Sequence, residues 1–98
     1  MIYGYKEMYP SRDLPYMADN IQSDRYDGQE KIIAFLLNGD ELFAKQGHDR
    51  DVFTGKRLDM DTVIMEKGQF QWPSILAYYV EKYDLRLSPD FESYILSH

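Results

Sequence analysis

The chain has no cysteine. That excludes disulfide frameworks, thiolate zinc sites and cysteine nucleophiles together, and leaves the redox compartment open, although the cytoplasm is the expected location. Histidine is nearly as scarce: His48 and His98 are the only two imidazoles, and His98 is the last residue. A Ser-His-Asp arrangement would therefore have to use His48, and no Gly-x-Ser-x-Gly elbow supplies its serine. Long apolar runs are missing as well, so no segment approaches the roughly 20 apolar residues needed to span a bilayer, and no basic start followed by an apolar stretch marks a signal peptide.

Basic residues are outnumbered, with 11 Lys and Arg against 17 Asp and Glu and a formal charge of −6. A phosphate backbone is thus disfavoured as the main partner, because nucleic-acid affinity rests on neutralising phosphates with Lys and Arg. An acidic surface suits a basic protein partner; simple solvation accounts for the same charge. Tyrosine is the abundant type, with 9 in 98 residues. Its apolar ring and polar tip favour interfaces, but they also make ordinary half-buried core. The length fits one domain, residues 1–98, large enough for a core without a disulfide or metal staple.

The central expectation concerns Lys31 to Lys45. Ile32 to Leu37 is an unbroken apolar run, which reads as a strand buried on both faces. A helix segment reads the same way, and Asn38-Gly39 is taken to decide it: both tolerate positive φ, as a two-residue hairpin turn requires. Gly39→Ala is then expected to strain the turn through its φ. A second strand from Asp40, with Leu42 and Ala44 on one side and Glu41, Phe43 and Lys45 on the other, is expected to be the more exposed of the two. Thr62 to Glu66, Lys67-Gly68 and Gln69 to Trp72 predict a second hairpin.

Before these strands, Leu14, Met17 and Ile21 at i, i+3 and i+7 predict an N-terminal helix capped by Ser11 or Asp13, with Pro15 in its first turn. After them, Pro73 opens a helix whose stripe is Leu76, Tyr79, Val80 and Tyr83. Asp84 to Leu87 reads as a connector. Ser88-Pro89-Asp90 then reads as N-cap, first helical residue and an acid placed to suit the helix dipole, ahead of Phe91, Tyr94 and Ile95 on one face. The expected class is α+β: a four-stranded, mainly antiparallel meander packed by two C-terminal helices and one N-terminal helix.

The densest set of reactive side chains lies in the polar stretch Gly47 to Arg57. His48, Asp49 and Asp51 are candidate binding residues, either for a divalent cation or as the centre of a hydrolytic enzyme. An EF-hand is excluded, since counting from Asp49 the sixth position is Thr54 and the twelfth Met60. A phosphate loop ending in Thr54-Gly55-Lys56 fails too: Arg50 replaces its first glycine and Arg57 its Ser or Thr. The structural alternative has Asp49 and Asp51 accepting backbone N–H bonds in a turn, with Asp51 reaching Thr54 or Gly55. Tyr78, on the helix face opposite Leu76 and Val80, is the fourth candidate, as part of an aromatic contact surface. Trp72, Tyr79 and Tyr83 are expected in the core. No catalytic residue, cofactor or metal site is assigned. The leading expectation is a non-catalytic module binding another protein; an enzyme using the 47–57 loop is the alternative, and self-association through an exposed strand a third.

Overall fold

The computed structural model describes the backbone of residues 3–97, and their side chains except those of 45–48, 60 and 61. Its class is α+β: three antiparallel strands in the order β1-β2-β3, with three α-helices and a short 3₁₀ turn. The helices are α1 (Gln29–Leu37), α2 (Leu76–Tyr83) and α3 (Pro89–Leu96), and the strands are β1 (Asp40–Arg50), β2 (Arg57–Lys67) and β3 (Phe70–Pro73).

The expected doubly buried strand Ile32 to Leu37 is α1, which reduces the meander from four strands to three. Gln29, Ile32, Phe35 and Leu36 are buried while Lys31, Ala34 and Leu37 are exposed, a helical period hidden because two of the exposed residues are apolar. Asn38-Gly39 closes the helix instead of a hairpin: the Asn38 side-chain amide donates to Ala34 O at 2.9 Å and its backbone N–H to Phe35 O at 3.1 Å. Gly39 does not have positive φ. What it supplies is space, since a Cβ there would lie 2.7 Å from Cζ2 of buried Trp72.

β1 and β2 form a long antiparallel hairpin with register shifts that bend it, and Asp40 to Ala44 of β1 are exposed. The second hairpin is also present, moved by one residue. Lys67 pairs with Phe70, so Gly68-Gln69 is the turn, with Gly68 at φ +62° in the glycine-first pattern of type II′. Pro73 ends β3 rather than opening a helix. The Ser74 hydroxyl accepts from Val63 N at 2.9 Å and Ser74 N donates to Val63 O at 2.7 Å, carrying the ladder round the corner into α2. The Leu76, Tyr79 and Val80 stripe is buried as its period required, and Ser88 caps α3 by accepting from Phe91 N.

No helix forms from Ser11. Leu14 precedes a proline and is steered to extended backbone, and the regular turn begins only at Met17, where the Glu7 carboxylate accepts the N–H groups of Met17 and Ala18. This N-terminal segment is nevertheless firmly attached. Tyr3 N donates to Gln71 O on the free side of β3, buried Tyr5 donates to Arg86 O, and Ile21 bridges Leu85. The core lies where α1 meets α3 and β3. Trp72 Nε1 donates to Leu36 O at 3.0 Å, and the Phe91 ring stacks on Phe70 at 4.4 Å and meets Tyr3 at 4.8 Å.

Candidate functional site

The β1–β2 connection is shorter than its polar sequence suggests, because strand structure continues to Arg50 and resumes at Arg57. Asp51 builds the turn. Its Oδ1 accepts from Phe53 N at 2.8 Å and Thr54 N at 3.1 Å, while its own carbonyl accepts from Gly55 N at 2.7 Å. Gly55, at φ +74°, meets nothing a Cβ would disturb, so the backbone angle alone requires glycine.

The other carboxylate oxygen faces α2. Oδ2 accepts the hydroxyls of Tyr78 at 2.7 Å and Tyr83 at 2.6 Å, and Lys82 Nζ lies 3.6 Å away while donating to the Tyr78 oxygen at 3.0 Å. Tyr79, one position on from Tyr78, accepts from Val52 N at 3.1 Å and donates to Arg50 O at 3.3 Å. Three phenols of one helix therefore grip the start of the turn, at residues 50 to 52. The Asp51 side chain is fully buried. Burial alone would raise its pKa, but the two tyrosine hydroxyls and the two backbone N–H groups outweigh it and hold the carboxyl well below the usual carboxylate range. Burial, and then the Asp51 carboxylate, push the Tyr83 phenol up to about 12.

A carboxylate has about four lone-pair positions, and Asp51 has four hydrogen-bond donors besides the nearby ammonium. The arrangement anchors the turn to α2 and leaves no lone pair for a cation or a substrate proton. The structural alternative for Asp51, an acceptor of N–H bonds in a turn, describes this geometry, with Phe53 and Thr54 as its side-chain partners.

Of the candidates, Asp51 and Tyr78 are brought together. Tyr78 is half-buried with its hydroxyl committed to Asp51. Asp49 sits apart from them, beside a small cavity that it lines with Glu7, Tyr9, Thr62 and Tyr79. His48 pairs with Asp61 through the β1–β2 backbone, and its side chain lies outside the described residues. Sequence reasoning missed Lys82, Glu7 and Thr62, and assigned Tyr83 to the core alone. Tyr78, Lys82 and Tyr79, Tyr83 are two i, i+4 pairs, a visible signal that one helix face is polar-tipped; nothing in the spacing names Asp51 as its target.

Among the described residues no group of three or more His, Cys, Asp or Glu is placed to hold a metal ion, and no helix is long and apolar enough to cross a membrane. No family model, curated protein or solved structure matches the chain.

Proposed function

We propose that the protein is a non-catalytic interaction module, and that it binds another protein along the outer side of β1. The observation that carries this reading is the contrast between the two edges of the sheet. β3 is covered by the N-terminal segment through Tyr3 N to Gln71 O, whereas the sheet order leaves the far side of β1 without a neighbouring strand among the described residues. The Asp40 end of this edge, away from the Arg50 end that Tyr79 and the N-terminal segment meet, is a template for strand addition. Leu42 is 42% and Phe43 56% exposed there, next to the carboxylates Asp40 and Glu41. An extended segment with basic and apolar side chains suits that edge, in keeping with the net charge of −6. As part of the same proposal the protein acts in the cytoplasm, where a cysteine-free chain is at no disadvantage. An enzyme built on the 47–57 loop draws less support, because the Asp51 lone pairs are already taken.

The test is affinity capture of the tagged protein from its own cells at low and moderate salt, beside the Phe43→Glu variant. A single basic partner held by the wild type, released as salt rises and lost from Phe43→Glu, is the expected result. Recovery of the chain alone, or a partner held equally by Phe43→Glu, overturns it. Light scattering separates self-association from binding to a different protein.

A further inference from the structure

The tip of the β1–β2 hairpin differs in sign from the chain as a whole. Its charged residues between positions 50 and 57 are Arg50, Asp51, Lys56 and Arg57. Asp51 is buried with its carboxylate taken up by the turn and α2, so Arg50, Lys56 and Arg57 are the charges left in solvent, and all are cationic. Lys82 of α2 adds a half-exposed ammonium 3.6 Å from Asp51, while the acids Asp49 and Asp59 lie further back along the strands. The apolar residues of the same turn face outward. Val52 is 41% and Phe53 38% exposed, with the Phe53 ring resting on Tyr83 at 4.9 Å and Tyr79 at 6.2 Å. A Cβ at Gly55 would meet no atom within 4 Å, so this part of the turn projects into open space.

We propose that this tip docks on the surface of an anionic lipid bilayer, with Val52 and Phe53 entering the headgroup layer and Arg50, Lys56 and Arg57 lying against the lipid phosphates. Charge is the first argument. At physiological ionic strength, charges more than about 8 Å away are largely screened, so the surface meets the cations of the tip rather than the net charge of −6. Each Lys or Arg close to an anionic leaflet strengthens binding by about fivefold. Shape is the second: a projecting apolar pair needs a matching pocket in a folded partner, whereas a fluid headgroup layer closes round it. Order is the third. The hydrogen bonds of Asp51 to Phe53 and Thr54, and of the Arg50 guanidinium to Gly55 O, already fix the turn, so docking immobilises little that was free. This is a contact with the surface of one leaflet and needs no membrane-spanning segment. It uses the Arg50 end of the hairpin, at the other end of β1 from Asp40, and stands or falls independently of the edge described above.

The experiment is co-sedimentation of the full chain with vesicles of phosphatidylcholine alone and of phosphatidylcholine mixed equally with phosphatidylglycerol. Binding to the anionic vesicles only, weakening as salt rises, is expected. Lys56→Glu and Arg57→Glu should each weaken it by roughly tenfold or more, because each removes an attraction and adds a repulsion. Phe53→Ser should weaken it severalfold at unchanged charge. Lys67→Glu makes the same charge change at the opposite end of β2, roughly 30 Å from Arg57 at about 3.3 Å per residue, and should bind as the wild type does. Circular dichroism checks that each variant keeps its fold. Absence of binding to anionic vesicles, an equal loss in Lys67→Glu, or undiminished binding by Phe53→Ser would overturn the proposal. Binding to an oligoglutamate peptide without binding to vesicles would overturn it as well, and would assign the tip to an acidic protein instead.

Discussion

Asp51 and Thr62 are both buried polar side chains of the β1–β2 hairpin, yet one is surrounded by donors and the other by none among the described residues. The difference follows from what each group costs when unmatched. A buried carboxylate without donors is prohibitive, so a chain that places one inside must supply a complete set, and those donors then fix the elements that carry them. A hydroxyl left unmatched costs roughly 1–3 kcal/mol, which a domain can tolerate where something else gains from it. Saturation thus marks Asp51 as an architectural centre, whereas the Thr62 oxygen ties no other element to the hairpin among the described residues.

The largest effect is expected at Asp51. Asp51→Asn keeps the shape but turns one acceptor oxygen into an NH₂ group, which cannot accept from the phenols or the backbone N–H groups it would face. We expect a loss of about 3 kcal/mol, the range for removing one partner from a buried charged network, read as a lowered urea midpoint. The same contrast has a pH signature. Because the folded carboxyl binds its proton less readily than the unfolded one, Asp51 stabilises fully above the ordinary carboxylate pKa of about 4, and that stability drains as pH falls below it. Asp51→Asn should lack this part of the acid slope. At the alkaline end the sign reverses. Tyr83, raised to about 12, holds its proton longer folded than unfolded, so stability falls as pH climbs from about 10 through 12. An unchanged urea midpoint in Asp51→Asn would remove the distinction between the two groups.

Next in size is the removal of a single donor. Tyr83→Phe deletes the 2.6 Å bond to Oδ2 and should cost about 1–2 kcal/mol, with a flatter alkaline limb. Tyr78→Phe should cost less. Lys82 Nζ already stands 3.6 Å from the same oxygen, and with the Tyr78 hydroxyl gone it can close on the carboxylate, although as a half-exposed ammonium it recovers only part of the loss. If Tyr78→Phe proves the more damaging, the phenol rather than the lysine is what the carboxylate needs.

How much of this was legible in the sequence depended on whether the signal was local. Ser88-Pro89-Asp90 specified the start of α3 because an N-cap, a proline at the first position and a dipole-matched acid all act within one turn. The second hairpin was readable because Gly68 must take positive φ, though Lys67-Gly68 and Gly68-Gln69 share the same glycine and only pairing across the strands fixes which is the turn. α1 was misread for a physical reason. Asn-Gly closes helices as readily as it turns hairpins, and exposed Ala34 and Leu37 erased the polar face by which a helix is recognised. The site was less legible still. Asp51 meets Tyr78 and Tyr83 across 27 and 32 positions, and Glu7 reaches the hairpin only because the N-terminal segment folds back. Such juxtapositions belong to the tertiary fold, and residue type at a given spacing does not encode them.

The smallest effect, and the one that most sharpens the contrast, is expected at Thr62. In most cores a Thr→Val change is not innocent, because the hydroxyl has a partner that the methyl group abandons. Here the oxygen has none among the described residues, so Thr62→Val removes a desolvated polar atom and orphans nothing. The expected outcome is a neutral to slightly raised urea midpoint, a gain of up to about 1 kcal/mol, opposite in sign to every change at the Asp51 turn. Losing a kilocalorie or more instead would mean that water held in the cavity already satisfies the hydroxyl, and Thr62 would then resemble Asp51 in kind.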